Sequence, residues 1–366
     1  MNQALIITFL LFIICSCTNK DNHTQVFADS KSLIVDSFQV SKLKESIEIL
    51  NFKEVNTKLI TLIFDSGTIR IYNKLPAGSY LFEKSIRLKE TNLAYSFFKY
   101  ESDWLVIDVE GNLFRYDSLW AFMDKQAINL SLNILKNNNR LIQSNNLPFK
   151  INGDTVVGYT LHDDFSGYEE SFSEQPYVRF RITKDSIILL NQLSHRPKSA
   201  IEYNALPSHC FRKNEIFTIY PCYDTIYRCD LKTGITKKTA IDNPDYRLPQ
   251  PFVLDSLMNF GYVAQYQIKN FSYIPQILYN PVTDHFVVFY YKYLINQKSK
   301  DNLKEREIHL YAIVLDSNLK KISCIKFDRK YSNPESGFYY SGKGIALSVF
   351  KNKFDFETTT FHIFNF

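Results

Sequence analysis

The chain has 366 residues, with 43 Lys and Arg against 38 Asp and Glu and a formal net charge of +5. The basic residues are dispersed, with no Lys/Arg run and no nucleic-acid motif, so the mild basicity reads as a solubility feature and no nucleic-acid partner is expected. With 30 Phe and 24 Tyr against 11 Gly and 12 Pro, the composition excludes a disordered or collagen-like chain and favours folded strands.

Residues 1–16 carry no charged side chain and contain an apolar run from Ala4 to Cys15. A run of that size suits the h-region of a secretory signal, about 7–15 residues, and is too short for a membrane span of about 20. It ends in Ile14-Cys15-Ser16-Cys17. This is the form of a lipobox: an aliphatic residue, small residues that let a peptidase reach the bond, and a thiol nucleophile to take diacylglycerol. An ordinary secretory signal is the alternative, but no A-x-A site competes nearby. The expectation is a signal peptide over 1–16, lipidation (diacylglycerol, then palmitate) at Cys17, a polar flexible tether over 17–30 and one folded domain over 31–366. No later apolar segment is long enough to span a bilayer, so membrane contact is expected through the N-terminal lipid alone. That places the protein on a bacterial cell envelope, with the outer membrane favoured and the periplasmic or surface face left open.

After the tether the chain reads as a succession of short strands. Thr68-Ile-Arg-Ile-Tyr72 alternates, with Ile69 and Ile71 on one face. Trp104–Asp108 and Leu113–Tyr116 flank Gly111-Asn112 as a hairpin. A short helix is expected from Ser118 through Met123, and another over Asp255–Phe260 before Gly261. Glu215–Tyr220 and Asp224–Asp230 follow as strands. Asp284–Tyr291 is apolar on both faces, as a buried inner strand would be. Ile308–Asp316 pairs with Lys321–Phe327 across Ser317-Asn318, and Thr358–Phe366 closes the chain.

Alternating apolar residues followed by Tyr or Leu and then Asp or Asn recur at Ile71-Tyr72-Asn73, Arg115-Tyr116-Asp117, Arg228-Cys229-Asp230 and Val314-Leu315-Asp316. The intervals lie near one or two multiples of about 45–55 residues, the scale of a propeller blade. At about four strands and 50 residues per blade, the length accommodates six. The fold class expected is therefore all-β: a β-propeller of six blades, each a four-stranded antiparallel sheet. The strand ending at Phe366 is expected to share a blade with the N-terminal strands and so close the ring. A two-sheet sandwich or two β domains compete, but no Pro/Gly/Ser linker marks a boundary.

Cys210, Cys222, Cys229 and Cys324 match no metal spacing and read as apolar strand residues, with any disulfide among them left open. No metal and no cofactor are expected. The chain has no G-x-S-x-G, H-E-x-x-H, P-loop or EF-hand loop, and no catalytic residue is assigned. His162 to Glu174 is acidic and aromatic in a basic protein. It reads first as a solvated hairpin loop. Read functionally, its carboxylates suit a hard cation and Tyr168 and Phe172 suit a partner; the residues singled out for ligand contact are His162, Asp163, Asp164 and Tyr168. His195-Arg196 before Pro197 and the lysines from Lys292 to Lys304 read as solvated loops. Trp104 and Trp120 read as core rather than as sugar platforms.

Two stretches, Pro221–Asp230 and Ile274-Pro-Gln-Ile-Leu-Tyr-Asn-Pro281, resemble recurring phrases of a Bacteroidetes lipoprotein family, domain of unknown function 4221. Together with the lipobox and the length, the resemblance covers nearly the whole chain. It implies a six-bladed propeller-like fold and carries no catalytic residues. Two function classes then remain. The first is a non-catalytic binding or scaffolding module on the envelope, monomeric, whose partner is an envelope protein or glycan. The alternative is a hydrolase or lyase acting on glycan or peptide at one propeller face. Convergence of ionisable side chains at a mouth of the central channel separates them.

Overall fold

A computed structural model describes residues 27–41, 49–55, 57–63, 67–91, 94–108, 112–127, 139–142, 149–152, 154–162, 177–183, 187–193, 207–220, 223–242, 273–294, 307–328, 331, 337–340, 342–349 and 358–366. The described residues form strands and one short 3-10 turn. Two strands come first, β1 (Phe27–Asp29) and β2 (Ile34–Ser41), joined by the 3-10 turn Ser30–Leu33. The first described strand thus starts at Phe27, inside the stretch expected as tether.

Six antiparallel meanders follow. Blade one is β3 (Ile49–Val55), β4 (Lys58–Ile63), β5 (Thr68–Lys74) and β6 (Tyr80–Arg87). Blade two is β7 (Ala94–Tyr100), β8 (Asp103–Asp108), β9 (Asn112–Tyr116) and β10 (Phe122–Ala127). In blade three the first position is split between β11 (Asn139–Ile142) and β12 (Lys150–Asn152), which pair with the two halves of β13 (Thr155–His162); β14 (Tyr177–Ile182) and β15 (Ile187–Leu193) complete it. Blade four is β16 (Ser208–Arg212), β17 (Glu215–Ile219), β18 (Thr225–Asp230) and β19 (Thr236–Ala240). Blade five is β20 (Tyr273–Asn280), β21 (His285–Leu294), β22 (Glu307–Leu315) and β23 (Lys321–Lys326). Blade six has β24 (Phe338–Tyr340), β25 (Gly344–Val349) and β26 (Thr358–Phe364).

The fourth strand of blade six is β2, antiparallel to β26 from Ile34↔Phe364 to Ser41↔Thr358. The two ends of the chain thus close the ring in one sheet, as expected. Blades six and one share a single parallel strand pair, Val40↔Tyr80, which joins them into one eight-stranded network. β1 adds a fifth strand to blade five, parallel to β23.

Six apolar clusters fill the six spaces between neighbouring blades. This explains why β21 is apolar on both faces: Phe286, Val288 and Tyr290 meet blade four, while Val287 and Phe289 meet blade six. A blade buries nothing alone, and stacking in a ring covers both of its faces. Trp104 and Trp120 are buried between blades one and two, stacked at 4.7 Å, as expected of core residues. At ring closure Phe38 stacks on Phe361 at 5.0 Å and on Tyr340 at 4.8 Å, and the Tyr80 and Tyr340 hydroxyls meet at 2.8 Å.

The helix expected from Ser118 to Met123 is absent, and β10 starts at Phe122. Asp117 Oδ1 accepts the amides of Leu119 and Ala121 at 2.8 Å each, which makes a tight turn instead. Trp120 takes a left-handed φ of 69° that folds its indole back onto Trp104. The helix expected over Asp255–Phe260 lies outside the described residues.

Candidate functional site

In each four-stranded meander the first and third turns share one end of the blade, and the second turn shares the other end with the crossing to the next blade. The strand bounds make these two ends of the ring very different. At the first end no connection exceeds five residues. At the other lie the segments 128–138, 163–176, 194–207, 241–272, 295–306 and 327–337. We call these the turn end and the loop end.

The turn end is locked by its own side chains. Asp316 Oδ1 accepts from the amides of Asn318 and Lys320, and Asp230 Oδ1 from those of Lys232 and Thr233. With Asp117, these are the acids of the recurring sequence phrase. Each stands at the end of the third strand of its blade or just past it, and an acidic acceptor there satisfies amides that the hairpin leaves over. The turn 316–320 repeats the backbone bonding of 117–121, with Leu319 left-handed as Trp120 is. In blade one the same geometry is reached at 75–79 without an acid, because Gly78 takes the left-handed position at no steric cost. The amides of Thr233 and Lys232 hold the Asp230 carboxyl below its usual range.

Ion pairs add to this end. Arg212 Nε and Nη2 donate to the two oxygens of Asp284 at 2.7 and 2.6 Å, Tyr279 OH donates to Asp284 Oδ1 at 2.7 Å, and Arg212 Nη1 reaches the Ser317 carbonyl at 3.4 Å. Three turns from blades four and five are thereby tied together. Arg212, then Tyr279, hold the Asp284 carboxyl below its ordinary value. Arg115 pairs with Asp103, Arg228 with Glu215, Arg181 with Asp154 and Lys343 with Asp36. At Asp103 burial pushes the pKa up, but the hydrogen bonds from Arg115 and Ser102 outweigh it and keep the carboxyl low.

Every large apolar side chain that stands exposed among the described residues is also at the turn end. Each blade supplies one: Leu75, Leu119, Ile188, Ile235, Val282 and Tyr339 in blade order. Leu81, Phe122, Met123, Ile322 and Val35 stand at the starts of the outer strands, at that same end.

Of the four candidate ligand residues only His162 is among the described residues, at the loop end of blade three. His162 is the last residue of β13, opposite Asn139. Asp163, Asp164 and Tyr168 fall in 163–176, outside the described residues, as do Cys17, Cys222 and His195-Arg196. Tyr177 begins β14 where that connection ends, and it is fully buried between blades three and four. Its hydroxyl accepts from Thr218 Oγ1 at 2.9 Å and meets His209 Nδ1 at 3.2 Å. Burial pushes the Tyr177 pKa well above the ordinary phenol value. With His209 and Thr218 also buried, this chain of hydroxyls and imidazole has no contact with solvent and serves to fix the strand ends beneath the connection. Sequence patterns did not reveal it: its members stand 32 and 41 residues apart from Tyr177. On the same level Ser208 Oγ accepts from the Ile277 amide at 2.9 Å, and Gln276 Nε2 donates to the Gly337 carbonyl at 3.1 Å, linking the innermost strands of blades four, five and six.

Cys210, Cys229 and Cys324 are buried thiols in strands, and burial pushes the Cys210 thiol upward. Among the described residues no group of three or more His, Cys, Asp or Glu is placed to hold a metal ion, and no helix is long and apolar enough to cross a membrane.

No family model matches the sequence, and no curated protein does so. Among solved structures, a member of the domain of unknown function 4221 family from Bacteroides vulgatus superposes with a TM-score of 0.63 at 13% identity, over 91% of this chain and 97% of the other. The chain has the fold of that family. A Bacteroides fragilis protein whose name calls it exported superposes with a TM-score of 0.54 at 14% identity, over 93% of this chain and 98% of its own. The propeller-like architecture implied by the resemblance at Pro221–Asp230 and Ile274–Pro281 is therefore present: Thr225–Asp230 is β18, and the second stretch lies almost wholly in β20.

Proposed function

We propose that this protein is an envelope lipoprotein, held by lipid on Cys17, that binds another envelope component, a protein or a glycan, through the loop end of its propeller without turning over a substrate. The unequal ends carry this reading. A ring that confines its long connections to one end, over rigidly bonded inner strands, has the form of a scaffold presenting loops to a partner. The connection 163–176, with Asp163, Asp164 and Tyr168, is the part assigned to contact, beside His162. The protein acts as a monomer in this reading.

Two experiments test it. Cys17→Ala should abolish incorporation of labelled palmitate and move the protein from membranes to the soluble fraction; unchanged labelling refutes the anchor. Replacing Asp163, Asp164, Glu169 and Glu170 by Ser or Asn should weaken capture of a crosslinked partner while the melting temperature holds. Turnover of a glycan or peptide by purified protein, abolished by one carboxylate or histidine substitution, would replace the binding module with a hydrolase or lyase.

A further inference from the structure

We propose that the turn end of the propeller lies flat against the bilayer, so that the loop end points away from it; this orientation rests on the lipoprotein reading above. Three independent features of the turn end converge on a phospholipid surface. The first is apolar exposure. Leu119 is 77% exposed and Ile235 is 62% exposed, and every blade contributes at least one such side chain, so the apolar groups are spread around a ring rather than gathered in one pocket. A ring of single aliphatic and aromatic groups matches a planar interface, into which each inserts a short way.

The second feature is charge. Among the described residues most acids of this end are engaged, Glu101 in the first turn of blade two standing exposed: Asp117, Asp230 and Asp316 bind turn amides, and Asp36, Asp103, Asp154, Glu215 and Asp284 are ion-paired. Lys213, Lys232 and Lys320 stand exposed on turns of blades four and five. They share that sector with Ile235, Val282 and Ile322. Lysines interleaved with aliphatic groups suit anionic headgroups, each cation near such a surface contributing about 1 kcal/mol.

The third feature is where the chain enters. β1 runs parallel to β23, with Phe27 opposite Cys324, and β23 rises from the 316–320 turn. The described chain therefore begins at the outer edge of blade five and runs away from the turn end. Only nine residues, 18–26, separate Cys17 from Phe27, a reach of about 30 Å at full extension. A lipid on Cys17 thus draws the same sector of blades four and five onto the membrane.

The test uses the mature lipidated chain carrying Cys222→Ser, reconstituted in phosphatidylethanolamine–phosphatidylglycerol vesicles. The thiols of Cys210, Cys229 and Cys324 are buried and do not compete for label. An environment-sensitive fluorophore is placed at Leu119→Cys, Ile235→Cys or, near the loop end, Asp242→Cys. Labels at 119 and 235 should shift to the blue and be quenched by a nitroxide on the lipid chains, while the label at 242 is unaffected. Quenching at 242 equal to that at 235, or no quenching at 119 and 235 in a lipidated sample, overturns the orientation. Leu119→Ser/Ile235→Ser/Ile322→Ser in the Cys17→Ala background should lower sedimentation with these vesicles by roughly tenfold; undiminished sedimentation counts against it. Mass spectrometry of the N-terminal peptide separates the two readings. If Cys17 carries no lipid, the anchor fails alone, and the labels on the unlipidated chain with added vesicles decide the orientation. A concentration-dependent dimer that buries the label at 235 without vesicles would assign this end to a second copy instead.

Discussion

The two ends of this propeller are made by the same strands and differ in how the chain is held between them. At the turn end Asp117, Asp230 and Asp316 bind the backbone of their own hairpins, and Arg212 ties three turns together through Asp284 and Ser317. At the loop end fixation comes from below, through the buried contacts of Tyr177 with His209 and Thr218 and of Ser208 with Ile277. The difference shows how a meander separates roles. Three of the five-residue turns satisfy their amides with a local side-chain acceptor, whereas long connections leave the strand beneath to secure itself.

The largest expected effect falls on the core that both ends share. Ile226 is fully buried between blades four and five, so Ile226→Asp should destabilise by about 4 kcal/mol or more. Urea unfolding should then lose both ends in one transition at a lower midpoint. Survival of either end alone would show that the ring is not cooperative. Next is ring closure: Phe361→Ala removes a ring stacked on Phe38 and should cost about 3–5 kcal/mol, read by the same titration.

Smaller changes should separate the ends. Asp316→Ala leaves two turn amides without their acceptor and should cost about 1 kcal/mol. Faster amide exchange should be confined to 317–320, with the amides around Tyr177 unaltered; spread to the loop end would refute local locking. The pH dependence of stability sharpens this further. Asp284 has a folded pKa below its unfolded value, so its contribution is present above the unfolded pKa and is lost as pH falls through the folded one. Its side chain is 47% exposed, which limits the effect to a few tenths of a kcal/mol. Asp284→Asn should flatten the acid limb of the stability curve by that amount and leave neutral-to-basic behaviour otherwise parallel, as denaturant midpoints measured from pH 3 to 7 would show. Smallest of all, the four loop substitutions at Asp163, Asp164, Glu169 and Glu170 should each alter stability by no more than about 0.5 kcal/mol.

Much of the fold was legible because its causes are local. The hairpin of β8 and β9 and that of β22 and β23 follow from alternation around turn residues. The recurring Asp proved to be the lock at the end of a third strand, so a repeat seen as a phrase had a backbone-bonding cause. The expected helix at Ser118 failed for the complementary reason. Its apolar residues suit either structure, and the choice was made by Asp117 bonding the turn and by Trp104 receiving the indole of Trp120. The network under Tyr177 left no trace in the sequence, since its members come from two blades.

The sequence by itself determined strand after strand, the blade-sized recurrence and the pairing of the last strand with the N-terminal ones, because alternation and turn chemistry act within a few residues. Only the tertiary structure decided which residues those strands leave uncovered. Ile226 and Ile235 have the same side chain and stand nine residues apart. One is sealed between blades and the other is open at the turn end, because burial depends on what the neighbouring blade brings opposite, and that partner comes from a distant part of the chain.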